Sequence, residues 1–151
     1  MKARDLMTPN PKTCAPDHEL TCAIRIMKEE DVGIVPITEG NGDARVVGVV
    51  TDRDVALHLG DRDKKPSEVR VSDVMTRRVV AVEPNADVSD VSRKMQEAQV
   101  RRVLVVENGT LSGVIATADL ARASSSSSRD RVGEEVERVM EKVSEENRDR
   151  R

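Results

Sequence analysis

Two stretches of the chain place apolar residues at helical spacing. Leu20, Ala23, Ile24 and Met27 fall on one helical face, and Val88, Val91 and Met95 fall on another. Asp17 and Asn85 each follow a proline and mark where these helices begin. After each helix comes a short β-branched run, 34–37 and 103–106, bounded by Gly or Asn turns, which predicts a buried strand. Residues 46–50 and 111–115 read as the partner strands. The segment Glu39-Gly40-Asn41-Gly42-Asp43 has hairpin chemistry, and Glu107-Asn108-Gly109-Thr110 makes a tighter turn. Short helices are predicted to start near Asp52 and Thr117, and short strands to precede the whole set near 13–14 and 80–82.

The pattern occurs twice because the sequence does. Asp5-Leu6-Met7-Thr8 returns as Asp73-Val74-Met75-Thr76, 68 residues on, and the same offset pairs Pro16 with Pro84, Arg25 with Arg93 and Met27 with Met95. It also pairs Glu29 with Glu97, Val32 with Val100 and Val35 with Val103, nine identities over positions 5–38 where chance gives about two. After a loop three residues shorter, Gly48-Val49-Val50-Thr51-Asp52-Arg53-Asp54 aligns with Gly113-Val114-Ile115-Ala116-Thr117-Ala118-Asp119. A unit this long, present twice, predicts a pseudo-symmetric pair rather than a solenoid.

Beyond the repeats lie five consecutive serines, 124–128, read as a low-complexity linker. Val132, Val136, Val139, Met140 and Val143 then follow at amphipathic helical spacing amid Glu and Arg. The expected organisation is therefore 1–64 for the first repeat, 65–123 for the second, 124–131 for a linker, and 132–151 for a C-terminal amphipathic helix with a frayed end. On this reading the tail is separable from a module that folds without it.

Composition narrows the chemistry. The 151 residues contain no Phe, Tyr or Trp, so the core is aliphatic, and base stacking on aromatic rings is excluded. A formal net charge of -3 argues against a general polyanion-binding surface. Cys14 and Cys22 fit no C-x-x-C spacing and read as small thiols in a reducing cytosol. His18 and His58 read as surface histidines, so no metal site is expected. The absence of a long apolar run or a leader-like N-terminus makes the cytoplasm the expected compartment, without membrane contact.

Paired units with an Asp-x-Met-Thr opening, a helix ending in Met and a Gly-h-h-Thr-x-x-Asp run resemble tandem CBS domains, the Bateman module, over residues 1–122. The resemblance implies an α+β fold: two pseudo-symmetric β-α-β-β-α repeats packed through their sheets, with the C-terminal helix added. It implies two clefts between the repeats that take an adenosine-containing ligand, AMP, ADP or ATP in type. One cleft would combine Thr51 and Asp54 with Val100, Arg101, Arg102 and Val103. The other would combine Asp119 with Ile34, Val35 and Pro36, and it departs from the family run at Ala116.

The residue types suit those roles. An ionised carboxylate accepts two hydrogen bonds and fits the paired ribose hydroxyls. Thr51 and the first amides of its helix would meet a phosphate, and the fork of Arg102 or Arg101 can hold one bidentately. The competing reading of Asp52, Asp54 and Asp119 is helix capping alone. The expected function is a stand-alone sensor module, homodimeric, acting on a regulated protein that the sequence does not name. The alternatives are a structural dimerisation module with empty clefts, S-adenosylmethionine or NAD(H) binding, and weak nucleic-acid binding. With neither a nucleophile–base pair nor a Walker-type phosphate loop, an enzyme is not expected, nor a catalytic cofactor.

Overall fold

The computed structural model describes residues 1–40, 44–126 and 130–149. In chain order the elements are α1 (Ala3–Leu6), β1 (Thr8–Pro9), α2 (Leu20–Glu30), β2 (Ile34–Glu39), β3 (Arg45–Thr51), α3 (Asp52–Gly60), a 3-10 turn (Pro66–Glu68), α4 (Val71–Val74), β4 (Ala81–Val82), α5 (Val88–Ala98), β5 (Arg102–Glu107), β6 (Thr110–Ala116), α6 (Thr117–Ser126) and α7 (Asp130–Asp149). This is the mixed α+β content that the alternation of periods predicts. The residues form two compact units.

The first unit is Pro11–Val79 with Asn108–Leu111. Its centre is the antiparallel β2–β3 pair, in register from Ile34↔Thr51 to Glu39↔Arg45 with one irregularity after Ile37. Cys14 adds a parallel bridge to Ile37, and Thr76 an antiparallel bridge to Val49. One face of α2 buries Leu20, Ala23 and Ile26 against Val35, Ile37, Val50, Val69 and Val71, with Ile24 and Met27 at the margin. The short helix α4 is held by Asp73, whose Oδ2 accepts the Arg70 N–H at 3.2 Å. Met75 then lies under Gly48, where an added Cβ would come 2.7 Å from the Thr76 carbonyl oxygen. The predicted hairpin residues 41–43 lie outside the described residues.

The second unit comprises Met1–Asn10, Val80–Glu107 and the chain from Ser112 onward. Here β4 runs parallel to β5, Ala81↔Leu104 and Val82↔Val105, and β1 pairs antiparallel with β6, Thr8↔Val114. Asp5 closes α1 as Asp73 closes α4, its Oδ2 accepting the Lys2 N–H at 2.8 Å. Met7 lies under Gly113, where a Cβ would meet its Sδ at 2.6 Å and the Thr8 carbonyl at 2.8 Å. The repeated Asp-x-Met-Thr motif is thus a capping carboxylate, a packed thioether and a strand start, and the glycine of each Gly-h-h run admits the methionine. The compact units divide the chain differently from the sequence repeats. Residues 1–10 pack with 80–107, and residues 66–79 pack with the strands that precede them.

The tail differs from its expected form. Ser124 and Ser125 continue α6, their hydroxyls bonded back to the carbonyls of Ala121 (2.7 Å) and Arg122 (2.9 Å). Serine tolerates a helix when its hydroxyl bonds back to the preceding turn in this way. Residues 127–129 of the expected linker lie outside the described residues, and α7 already begins at Asp130. Val136, Val139 and Val143 of α7 are buried in one core with Val91, Met95, Val105 and Leu120, while Met140 stays 47% exposed. That helix is therefore part of the second unit's core. Among the described residues, no helix is long and apolar enough to cross a membrane.

Candidate functional site

In the first unit, β3 runs directly into α3, and the junction is a reciprocal cap. The Thr51 N–H donates to Asp54 Oδ2 at 2.9 Å, and the Asp54 N–H donates to Thr51 Oγ1 at 3.2 Å. The sequence dictates this: a Thr at the N-cap and an acid three residues on satisfy two orphan amides at once. The remaining amides are also engaged. Asp52 N–H reaches the Gly33 carbonyl at 3.0 Å, and Arg53 N–H reaches Asp52 Oδ1 at 2.9 Å. The first amides of α3 are thus not open to a phosphate, which corrects that part of the expectation. Two polar groups stay available: the Thr51 hydroxyl proton and Asp54 Oδ1, which makes no hydrogen bond among the described residues. Both residues are half-buried.

The second unit repeats the junction with different chemistry. The Ala116 N–H donates to Asp119 Oδ2 at 2.7 Å, but Ala116 has no hydroxyl to return a bond. Asp119 Oδ1 is held by the Arg122 guanidinium, so both its oxygens are engaged. At the position of Arg122 the first repeat carries Leu57, which is 59% exposed and leaves Asp54 without a clamp. Capping is thus a real role of both carboxylates, and only Asp54 retains an unused oxygen.

The remaining predicted residues sit just ahead of the first long strand of each repeat or within it. Arg101 is exposed, and its carbonyl accepts the Thr117 N–H at 3.0 Å, as the Gly33 carbonyl accepts that of Asp52. Arg102 is half-buried, and among the described residues neither guanidinium makes a salt bridge. By contrast, Lys2 pairs with Asp87 and Lys12 with Glu30. Val100 and Ile34 are half-buried and accessible. Val103 and Val35 are 1% and 0% exposed, and Pro36 is buried too. The side chains of Val35 and Val103 belong to the hydrophobic cores and supply no ligand wall, which corrects the expectation for them. Three consecutive residues are buried in each of these strands, Val35 to Ile37 and Val103 to Val105, so the burial follows a continuous apolar run covered on both faces.

One constellation was missed. Cys14, His18 and Cys22 bring their ligand atoms within 4.8 Å of one another. Cys14 is fixed by the bridge to Ile37, its carbonyl accepting the Thr38 N–H at 2.9 Å. His18 sits in the turn that follows, its carbonyl accepting the Val71 N–H at 2.8 Å. Cys22 lies in the first turn of α2, with Sγ 3.6 Å from His18 Nδ1. Burial, and after it the Cys22 thiol, push the Cys14 thiol well above the ordinary range. The sequence does hold a signal, the even spacing Cys-x-x-x-His-x-x-x-Cys, which a search limited to C-x-x-C passes over. His18 is exposed, as expected, but the reading of it as lone is corrected.

Comparison with known proteins matches the CBS domain to residues 3–61 and again to 71–126. Protein YlbB of Bacillus subtilis is 36% identical over 129 residues, covering 85% of each chain. Hypoxic response protein 1 of Mycobacterium tuberculosis is 35% identical over 121 residues, 80% of this chain and 82% of that one. The crystal structure of Hypoxic Response Protein I with two coordinated zinc ions superposes with a TM-score of 0.70 at 31% identity, covering 81% of this chain and 98% of that one.

Proposed function

Because the chain belongs to the CBS domain family and carries the domain as a tandem pair, we propose that it is a regulatory sensor module that binds an adenosine-containing nucleotide of the AMP, ADP or ATP type and does no chemistry of its own. The observation that carries this reading is the half-buried Asp54 with one carboxylate oxygen in the cap and the other unengaged. An oriented carboxylate whose cap bond fixes its rotamer is preorganised to accept from ribose hydroxyls, so little rotamer entropy is lost on binding. In its own unit the Thr51 hydroxyl proton is suited to a phosphate, and in the other unit so is the guanidinium of Arg102, which makes no salt bridge among the described residues. Asp119, held by Arg122, is the weaker carboxylate. The module acts in the cytoplasm, as a homodimer, on a regulated protein.

Calorimetric titration with AMP, ADP and ATP tests this. Asp54→Ala is expected to weaken binding ten-fold or more, because a hydrogen bond to a charged group contributes about 1.5–3 kcal/mol. Arg102→Ala is expected to weaken the phosphorylated ligands more than adenosine, and Asp119→Ala to have the smallest effect. Wild-type protein that binds none of the three at millimolar concentration would overturn the proposal and leave a purely structural module. Light scattering at tens of micromolar tests the dimer.

A further inference from the structure

We infer that Cys14, His18 and Cys22 form a zinc site in the first unit. The three ligand atoms lie within 4.8 Å of one another, with Cys22 Sγ 3.6 Å from His18 Nδ1. Tetrahedral zinc has bonds of about 2.3 Å to sulfur and about 2.0–2.1 Å to nitrogen, which set sulfur and nitrogen about 3.6 Å apart. The edge length is therefore that of a tetrahedral site. The three side chains come from a bridged strand residue, a turn and the first turn of α2, and main-chain bonds hold all three segments. The site thus needs no folding step to assemble.

Charge and protonation agree with a divalent ion. The His18 Nδ1 accepts the Ala15 N–H at 3.1 Å, so that nitrogen carries the lone pair, and zinc would take the place of the Ala15 N–H. Two thiols lose their protons to solvent as the metal enters, and two thiolates with one divalent cation and one neutral imidazole sum to zero charge. A neutral assembly suits a place where Cys14 is 2% exposed. Thiolate and imidazole together select zinc over magnesium or calcium. Three protein ligands leave the fourth position to water, on the side of the open groove that Thr13, Thr38 and Glu39 line beside Cys14.

The second repeat is an internal control. At the matching positions it carries Val82, Ala86 and Asp90, with an equivalent groove beside them. The backbone therefore does not require sulfur or imidazole at these places: Val82 packs its side chain where the first repeat has Cys14. Three metal-ligating residues in one repeat against a single one, Asp90, in the other is what a binding site added to a duplicated frame looks like.

Cobalt titration of the full chain, kept reduced with a phosphine, tests the inference without reference to nucleotide binding. One equivalent of Co²⁺ is expected to give a thiolate-to-cobalt charge-transfer band in the near ultraviolet and strong visible tetrahedral bands, both lost on adding one equivalent of Zn²⁺. Cys14→Val, His18→Ala and Cys22→Asp each copy the other repeat's own residue, so the fold is preserved by design and circular dichroism verifies it. Each is expected to weaken Zn²⁺ by more than about 100-fold, beyond the 10–100-fold of a contact to an outer-shell partner. No charge-transfer band in the wild type overturns the inference, as does unchanged affinity in Cys14→Val and Cys22→Asp. A Cys14–Cys22 disulfide that forms without reductant, with no cobalt binding in its presence, overturns it equally and assigns the pair to redox chemistry.

Discussion

Val139 gives the sharpest test of how the C-terminal helix is held. Its side chain is fully buried in the second unit, in one core with Val91, Met95 and Leu120, whereas the next residue, Met140, is 47% exposed. Val139→Ala removes two methyl groups at about 0.8 kcal/mol each, and the cavity left behind adds up to about 1 kcal/mol more. Alanine returns about 0.5 kcal/mol through its higher helix propensity. The net loss is about 2 kcal/mol, or roughly 4–8 °C in the melting temperature of a chain this size. Met140→Ala removes more atoms but from an exposed place, and is expected to stay within about 0.5 kcal/mol of wild type. Urea unfolding followed by far-ultraviolet circular dichroism reads both, with the midpoint falling and the slope unchanged for Val139→Ala. If the two variants unfold alike, α7 does not share the core, and the tail is the separable appendage its serine run suggests.

Other expectations follow from the same geometry. Gly48→Ala and Gly113→Ala would place a Cβ 2.7 Å and 2.8 Å from main-chain carbonyl oxygens, so each is expected to destabilise by about 1–3 kcal/mol, measured by thermal unfolding. Thr51→Ala removes half a cap and is expected to cost about 1 kcal/mol, while Ala116→Thr completes the matching cap and is expected to raise the melting temperature. The Lys2 ammonium, bonded to Asp87 at 2.7 Å, holds that carboxyl below the ordinary range. A depressed carboxylate stabilises at pH above its unfolded value and loses that contribution as pH falls through the folded one. Lys2→Ala should therefore move the Asp87 midpoint upward in an NMR titration, and since the pair is exposed, salt should do the same.

The long elements were legible because each carries its own period. The α2 and α5 faces and the β2, β3, β5 and β6 runs are amphipathic or β-branched over enough residues to outweigh local noise. The four-residue helices α1 and α4 are too short for any period, yet the Asp of each repeated motif sits where a cap is needed. A motif recurring in both repeats marked them as important without saying why, since the packing of Met7 under Gly113 and Met75 under Gly48 is a contact remote in sequence. The serine run misled in the other direction. Its composition reads as linker, but Ser124 and Ser125 continue α6 with hydroxyls bonded to the preceding turn, and Val136, Val139 and Val143 of α7 lie in the second unit's core. For the candidate site, residue types were legible and availability was not. Nothing local to Asp119 says that Arg122 will hold its second oxygen, and nothing local to Thr51 says that the amides after it are already satisfied.

Duplication gives one frame two sets of side chains, and the differences between the sets are informative because the frame is constant. Where the repeats agree, at Asp5 and Asp73 or Met7 and Met75, the structure gives a folding reason: a cap, or a thioether under a glycine. Where they differ, folding does not account for the choice. Valine packs at position 82 as cysteine does at 14, and a helix starts at Thr117 without the hydroxyl that Thr51 supplies at the other. Asp54 with Leu57 and Asp119 with Arg122 are likewise two solutions to capping, but only one leaves a carboxylate oxygen exposed to a partner. An unclamped carboxylate and three metal-ligating side chains all fall in the first repeat. The agreements therefore mark what the fold requires, and the disagreements mark where the proposed carboxylate and metal sites would lie, both in the first repeat, while Arg101 and Arg102 of the second make no salt bridge among the described residues.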